Sequence, residues 1–273
     1  MKHIVCFSGG HSSALVAVET ARKYGSENTI LLNHDISSKV EHEDIKRFKD
    51  EVAEYLKIKI TYANHPDFEN IAPIDVALSL GGFQFKAGIA QCTSKLKTEP
   101  FYKYLSVNWS GNKRGCDILY GFDGDEPQRI SRKQDVMRSM GYSTQFPLAD
   151  WTPTISNIEE IGIQRPCTYS IFKHANCIGC LKAGMQHWYG VYCTRPDIFE
   201  YGEYAEKKIG YSIIKKDNGE RAFLKDLEPK YHEMKYAQHI CPNEHTSPNT
   251  FWAMVEKVLP EQCSLYPPCD CSF

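Results

Sequence analysis

The sequence predicts an α/β protein: a mostly parallel sheet flanked by helices, followed by a Cys-rich, mainly helical and irregular C-terminal region. Three observations point there. Short aliphatic runs alternate with helix-length amphipathic segments through the first 165 residues, the pattern of strands joined by right-handed crossovers. The first run ends in Ser8-Gly9-Gly10-His11-Ser12-Ser13, small and polar residues at the handover from strand to helix. After about Pro166 the alternation gives way to segments rich in Cys, aromatic residues, Gly and Pro. Residues 1–165 are therefore expected to form one unit and residues 166–273 a Cys-rich second region.

The elements follow in order. Residues 2–7 read as a buried strand. Residues 12–24 read as a helix with Ala14, Leu15, Ala17, Val18 and Ala21 inward, stopped by Gly25. A second strand spans 29–33. Residues 41–56 place Ile45, Phe48, Val52, Tyr55 and Leu56 on one helical face with charges elsewhere. A third strand is expected over 58–62, a fourth over 117–122, a helix over 126–140 and a short strand over 144–147, with helical segments between.

Composition sets the bounds. The chain has 273 residues, 42% hydrophobic and 24% charged, enough to bury a sizeable core. Its net charge of −2 offers no global field for nucleic acid, so any grip on phosphate must come from local Lys and Arg. No apolar run approaches the roughly 18 residues that cross a bilayer, and the first one stops at Phe7, short of a signal-peptide core. A cytoplasmic location with no membrane partner is expected, and a homo-oligomer stays open. In that reducing compartment 11 cysteines, an odd number, point to metal, cluster or redox use rather than to a disulfide framework.

The Ser-Gly-Gly turn has a physical reading. At the carboxyl end of a parallel strand, a Gly-rich turn aims backbone N–H groups and the positive end of the next helix at one small volume, which suits a phosphate. Gly9 and Gly10 permit the turn and a close approach; Ser8, Ser12 and Ser13 add hydroxyl donors. Good turn chemistry alone is the competing reading. Neither GxGxxG nor a Walker loop occurs.

This stretch resembles the SGGxDS pyrophosphate loop of the adenine nucleotide alpha-hydrolase (PP-loop) superfamily, with Ser12 where the usual Asp stands. The resemblance implies a PP-loop nucleotide-binding domain over 1–165. It implies ATP and Mg2+ at Ser8, Gly9, Gly10, His11, Ser12 and Ser13, with Asp35 after the second strand as a ribose or metal contact. Cys92-Thr93-Ser94-Lys95-Leu96-Lys97-Thr98-Glu99-Pro100 resembles the Cys-Cys-x-x-x-Lys-x-x-Pro segment of the phosphoadenosine phosphosulfate (PAPS) reductase family. Tyr120-Gly121-Phe122-Asp123-Gly124-Asp125-Glu126-Pro127-Gln128-Arg129 is similar to its Gly, acidic and Arg segment. Pro147-Leu148-Ala149-Asp150-Trp151-Thr152 and Asn176-Cys177-Ile178-Gly179-Cys180 match its Pro-Leu/Ile-x-x-Trp-Thr and Cys-x-x-Cys stretches. Lys95 and Arg129 become the candidate catalytic cations, and Cys92, Cys177, Cys180 and Cys193 the candidate metal ligands. A [4Fe-4S] cluster is implied, with zinc as the alternative. Gln91 stands where the first Cys of the pair would be, so three thiolates are matched, and Cys167 competes with Cys193 for the fourth place.

Other residues carry weaker patterns. His239, Cys241, His245, Cys263, Cys269 and Cys271 match no metal spacing. Cys6 and Cys116 fall in or beside strands and read as structural. The run from His187 to Tyr192 either stacks a base or packs a core. Together the residues and the resemblance imply an ATP-using enzyme that adenylates an acceptor in sulfur transfer, with a sulfur-donor protein, tRNA or DNA as partner. The alternatives are a sulfonucleotide reductase using Cys269 or Cys271, and a nucleotide-binding subunit of a nucleic-acid modification system that does not turn over.

Overall fold

The computed structural model describes residues 1–86, 88–172, 177–215, 219–243 and 245–260. Five strands, β1 (Lys2–Cys6), β2 (Thr29–Asn33), β3 (Thr61–Tyr62), β4 (Cys116–Leu119) and β5 (Ser143–Gln145), form one parallel sheet in the order β3-β2-β1-β4-β5. The three inner strands, β2, β1 and β4, are buried almost throughout because helices cover both faces. Val5, Phe7, Leu31 and Leu119 pack one face against α1 (His11–Tyr24) and α2 (Glu43–Leu56). Ile4, Cys6, Leu32, Ile118 and Tyr120 pack the other against α5 (Glu99–Trp109) and α6 (Pro127–Ser139), which follow α3 (Pro73–Leu80) and the short α4 (Gln91–Thr93).

Several boundaries differ from the sequence expectation for local reasons. Lys57 turns into the left-handed region at φ 56°, and Ile58 N–H bonds Ala53 C=O, so these residues close α2 instead of opening a strand. Helix α2 begins at Glu43 because the His42 ring accepts the Asp44 N–H at 3.1 Å. Tyr55, expected inward, is half exposed. Pro147 leaves the fifth strand and opens α7 (Pro147–Asp150), a position that suits proline's missing N–H.

Two consequences position the site. The chain steps outward from β1 to β2 to β3, then crosses back to β4 on the other side of β1. Between β1 and β4 the winding reverses, which opens a crevice beyond their carboxyl ends. The second consequence comes from the C-terminal region, where α8 (Met185–Thr194), α9 (Pro196–Ile209), α10 (Leu224–His232) and α11 (Pro248–Val258) surround a small antiparallel ribbon of β6 (Ile214–Lys215) and β7 (Arg221–Ala222). Their core of Trp188, Tyr189, Phe199, Tyr231 and Phe251 is continuous with Ile36, Val40, Ile74, Val76, Cys92 and Leu96. One apolar core thus joins residues from both sides of position 165. The aromatic run from His187 contributes to it, with Trp188 and Tyr189 fully buried.

Candidate nucleotide and thiol site

The 8–13 turn leaves β1 and enters α1 at the crevice. Gly9 sits at φ 82°, where L side chains are strained, and a Cβ there would lie 2.9 Å from Lys49 Cγ and 3.0 Å from Ile45 Cγ2. Gly10 is the N-cap of α1 with ordinary extended dihedrals. Helix α1 has no cap from the Gly10 position and no acidic residue in its first turn, so beyond the His11 N–H its first-turn N–H groups keep their positive field for a ligand. The Ser13 hydroxyl donates to Gly10 C=O at 2.8 Å, and Ser8 donates to Ser13 Oγ at 3.2 Å; both tighten the turn. Ser12 is half-buried. His11 holds the turn from outside: its Nε2 accepts the Ile158 N–H at 3.3 Å, and its own N–H donates to the Tyr169 hydroxyl at 3.0 Å. Burial lowers the His11 pKa, so the ring is a neutral acceptor.

Beneath the turn lies a buried polar network. Lys49, 1% exposed, donates to both Glu41 oxygens at 3.1 and 3.0 Å and to Asn33 Oδ1 at 3.3 Å. The Asn33 amide donates to Phe7 C=O. Asp35 lies at the rim, paired with Lys46 at 3.0 Å. Neither Lys49 nor Glu41 belongs to a recognised motif, but Lys49 carries a signal in the sequence: it falls four residues after Ile45 and three before Val52, on the apolar stripe of α2.

Across the crevice, Gly121 lets the β4 exit pack on α1, since a Cβ there would lie 3.2 Å from Ser12 C and Ser13 N. Arg129 follows, its guanidinium 4.1 Å from the Phe122 ring centroid and 2.5 Å from Glu126. The ligand oxygens of Asp123, Asp125 and Glu126 all lie within 4.8 Å of one another. Burial and the neighbouring carboxylates raise the Asp123 pKa, a repulsion that a divalent cation would relieve.

The cysteines converge on a separate small cavity next to the network. Cys92, Cys177 and Cys180 line it with Thr93, Lys97 and Lys182 over an apolar floor. Sequence separation of more than 80 residues is closed by the Val40 C=O, which accepts the Ile178 N–H at 2.8 Å and pins the 177–180 strap beside the segment after β2. Burial pushes the Cys92 thiol up to about 11 and Cys177 to about 12, so both are neutral until a metal displaces the protons. Lys97 reaches the same cavity with Leu96, one helical turn after Thr93 and Cys92, along a segment whose backbone is a π turn over Ser94–Thr98. Lys95 does not: it pairs with Glu99 at 2.8 Å outside the lining.

This donor set can be tested against the two metals. Among the described residues the acidic set is the one triple of His, Cys, Asp or Glu ligand atoms gathered within 4.8 Å, so at least one pair of the cavity sulfurs is more widely spaced. Two thiolates on one zinc at about 2.3 Å each can stand no more than about 4.6 Å apart. A single ion can therefore take two of the three sulfurs as they stand, as a Cys-x-x-Cys pair does, whereas a cluster, which distributes its thiolates over several metal atoms, suits all three. Neither fourth-ligand candidate lines the cavity. Cys193 lies beside Tyr189 and Cys241 instead; Cys167 is exposed, its N–H on Asp44. Gln91 is buried, its Nε2 directed at Gln84 C=O at 3.5 Å. Cys263, Cys269 and Cys271 lie outside the described residues. No family model, curated protein or solved structure matches the chain.

Proposed function

We propose that the protein is an ATP-binding enzyme of the PP-loop type that adenylates an acceptor with release of pyrophosphate and passes sulfur to it. The observation that carries this reading is the adjacency of two sites: a helix N-terminus behind Ser8-Gly9-Gly10 at the β1/β4 crevice, and three cysteines meeting in one cavity linked to it through Glu41. The turn would take the beta and gamma phosphates through its N–H groups and serine hydroxyls. Asp123, Asp125 and Glu126 would hold Mg2+, and Arg129, seated on Phe122, would neutralise charge at the alpha phosphate. Cys92, Cys177 and Cys180 would hold a [4Fe-4S] cluster with one iron free of cysteine, which supplies a Lewis-acidic position for sulfur when bound.

Two measurements test this reading. With MgATP and candidate acceptors, AMP and pyrophosphate should accumulate together; only ADP, or no product with any acceptor, would favour a non-catalytic nucleotide-binding subunit. Anaerobic preparation should show broad absorbance near about 400 nm with about four irons per chain, lost in Cys92→Ser, Cys177→Ser and Cys180→Ser and retained in Cys193→Ser. Stoichiometric zinc without iron would overturn the cluster.

A further inference from the structure

Glu41 and Lys49 form a buried ion pair that the reaction outlined above does not use. Burying two charges is costly, and an apolar pair of similar volume in the same place is often as stable or more so. Stability alone therefore gives little reason for the pair. What distinguishes it is what each partner holds. The Lys49 methylenes lie under Gly9, at the 2.9 and 3.0 Å limits where any Cβ would strike them. Its ammonium reaches Asn33 Oδ1, and the Asn33 amide in turn bonds Phe7 C=O, immediately before the turn. Glu41 receives the ammonium on both oxygens and directly follows Val40, whose C=O holds the Ile178 N–H at 2.8 Å inside the 177–180 strap. Lys46 approaches Glu41 at 3.9 Å while gripping Asp35. One pair thus supports the floor of the phosphate turn on one side and the cysteine strap on the other.

We propose that Lys49 and Glu41 are positioning residues shared by the two halves of the site, setting the 8–13 turn for phosphate and the 177–180 strap for metal through a single buried contact. The nucleotide half of this proposal rests on the function proposed above; the thiol half stands on the cavity alone.

The test compares the wild type with Lys49→Met/Glu41→Leu, which removes both charges together and so leaves neither unpaired. Val52→Ala, on the same face of α2, serves as a control for a purely structural loss. Three readouts are taken on the full chain: thermal midpoint, MgATP affinity by calorimetry, and cobalt(II) affinity from the thiolate-to-metal absorbance of the metal-free protein. The double variant should melt at or above the wild-type temperature, yet bind both MgATP and cobalt at least about tenfold more weakly. Val52→Ala should melt lower and keep both affinities within about threefold. Wild-type affinities in the double variant would overturn the proposal, as would equal losses in Val52→Ala. If the wild type itself fails to bind MgATP, the nucleotide reading falls. The cobalt arm then decides alone: weaker binding sustains a positioning role at the strap, and unchanged binding ends it.

Discussion

At the scale of the residue, the two glycines of the turn do different work. Gly9 is required by its backbone, since φ 82° excludes most side chains and the space above it is filled by Lys49 and Ile45. Gly10 has φ −90°, which any residue adopts, so its backbone does not require glycine. Gly9→Val should therefore lower the melting temperature and weaken MgATP binding by more than about tenfold, roughly 1.4 kcal/mol. Gly10→Ala should melt as the wild type does and still bind MgATP less well. Calorimetry and thermal unfolding on both variants separate these effects, and equal melting losses in the two would contradict the assignment. Sequence pattern alone treats the two glycines as equivalent.

At the scale of the element, the helical face that carries Cys92 and Thr93 decides which lysine serves the thiols. Residues four apart share a helical face, so the face that carries Cys92 and Thr93 to the cavity also carries Leu96 and Lys97, and not Lys95. Leu96 and Lys97 line the cavity, while Lys95 turns to Glu99, four residues on. Lys95→Ala breaks a partly exposed ion pair worth at most about 1 kcal/mol, so turnover should fall less than about threefold. Lys97→Ala removes a cation from the cavity wall and should lower turnover at least about tenfold, because charge beside bound thiolates acts with little solvent screening. Steady-state AMP formation compares the two; a larger loss in Lys95→Ala would refute the placement. The resemblance singles out Lys95, whereas the cavity that selects Lys97 exists only once the 177–180 strap has packed beside Cys92, a contact no residue pattern announces.

At the scale of the whole molecule, buried neutral groups shape stability against pH. His3, His11 and His34 are held below the ordinary histidine range chiefly by burial, with His34 at about 3. A depressed histidine contributes fully above about pH 6.5 and loses that contribution as pH falls, because the unfolded chain takes up the proton first. For fully buried His34 the slope approaches about 1.4 kcal/mol per pH unit. The buried thiols act with the opposite sign. Cys92, Cys177 and Cys193, raised to about 11, 12 and 11, contribute below about pH 8.5 and lose it as pH rises and the unfolded thiols ionise. The metal-free protein should thus melt highest between about pH 6.5 and 8.5. His34→Gln should flatten the acid limb; melting curves from pH 5 to 10 that show the same acid limb in that variant would remove His34 from the account. No helix among the described residues is long and apolar enough to cross a membrane.

Local signals were enough for the parallel sheet, its first two crossover helices and the turn at the end of β1. Each depends on residues close in sequence: Val5 and Phe7 alternate with Ile4 and Cys6, Ile45, Phe48 and Val52 repeat at the helical period, and Gly9 marks a backbone reversal on its own. The parts that tertiary structure decided depend on residues far apart. The convergence of Cys92 with Cys177 and Cys180 follows from Val40 holding the strap, and the separation of Cys193 follows from α8 turning it toward Tyr189 and Cys241. The core that joins Ile36, Ile74 and Leu96 to Trp188 and Tyr231 has no period to announce it, because apolar contact is non-directional and takes whichever surfaces the topology brings together. Lys49 lies between the two cases: its place on the apolar stripe of α2 is written in the sequence, but the charge that makes burial tolerable, Glu41, is supplied only when the loop after β2 folds back over the helix.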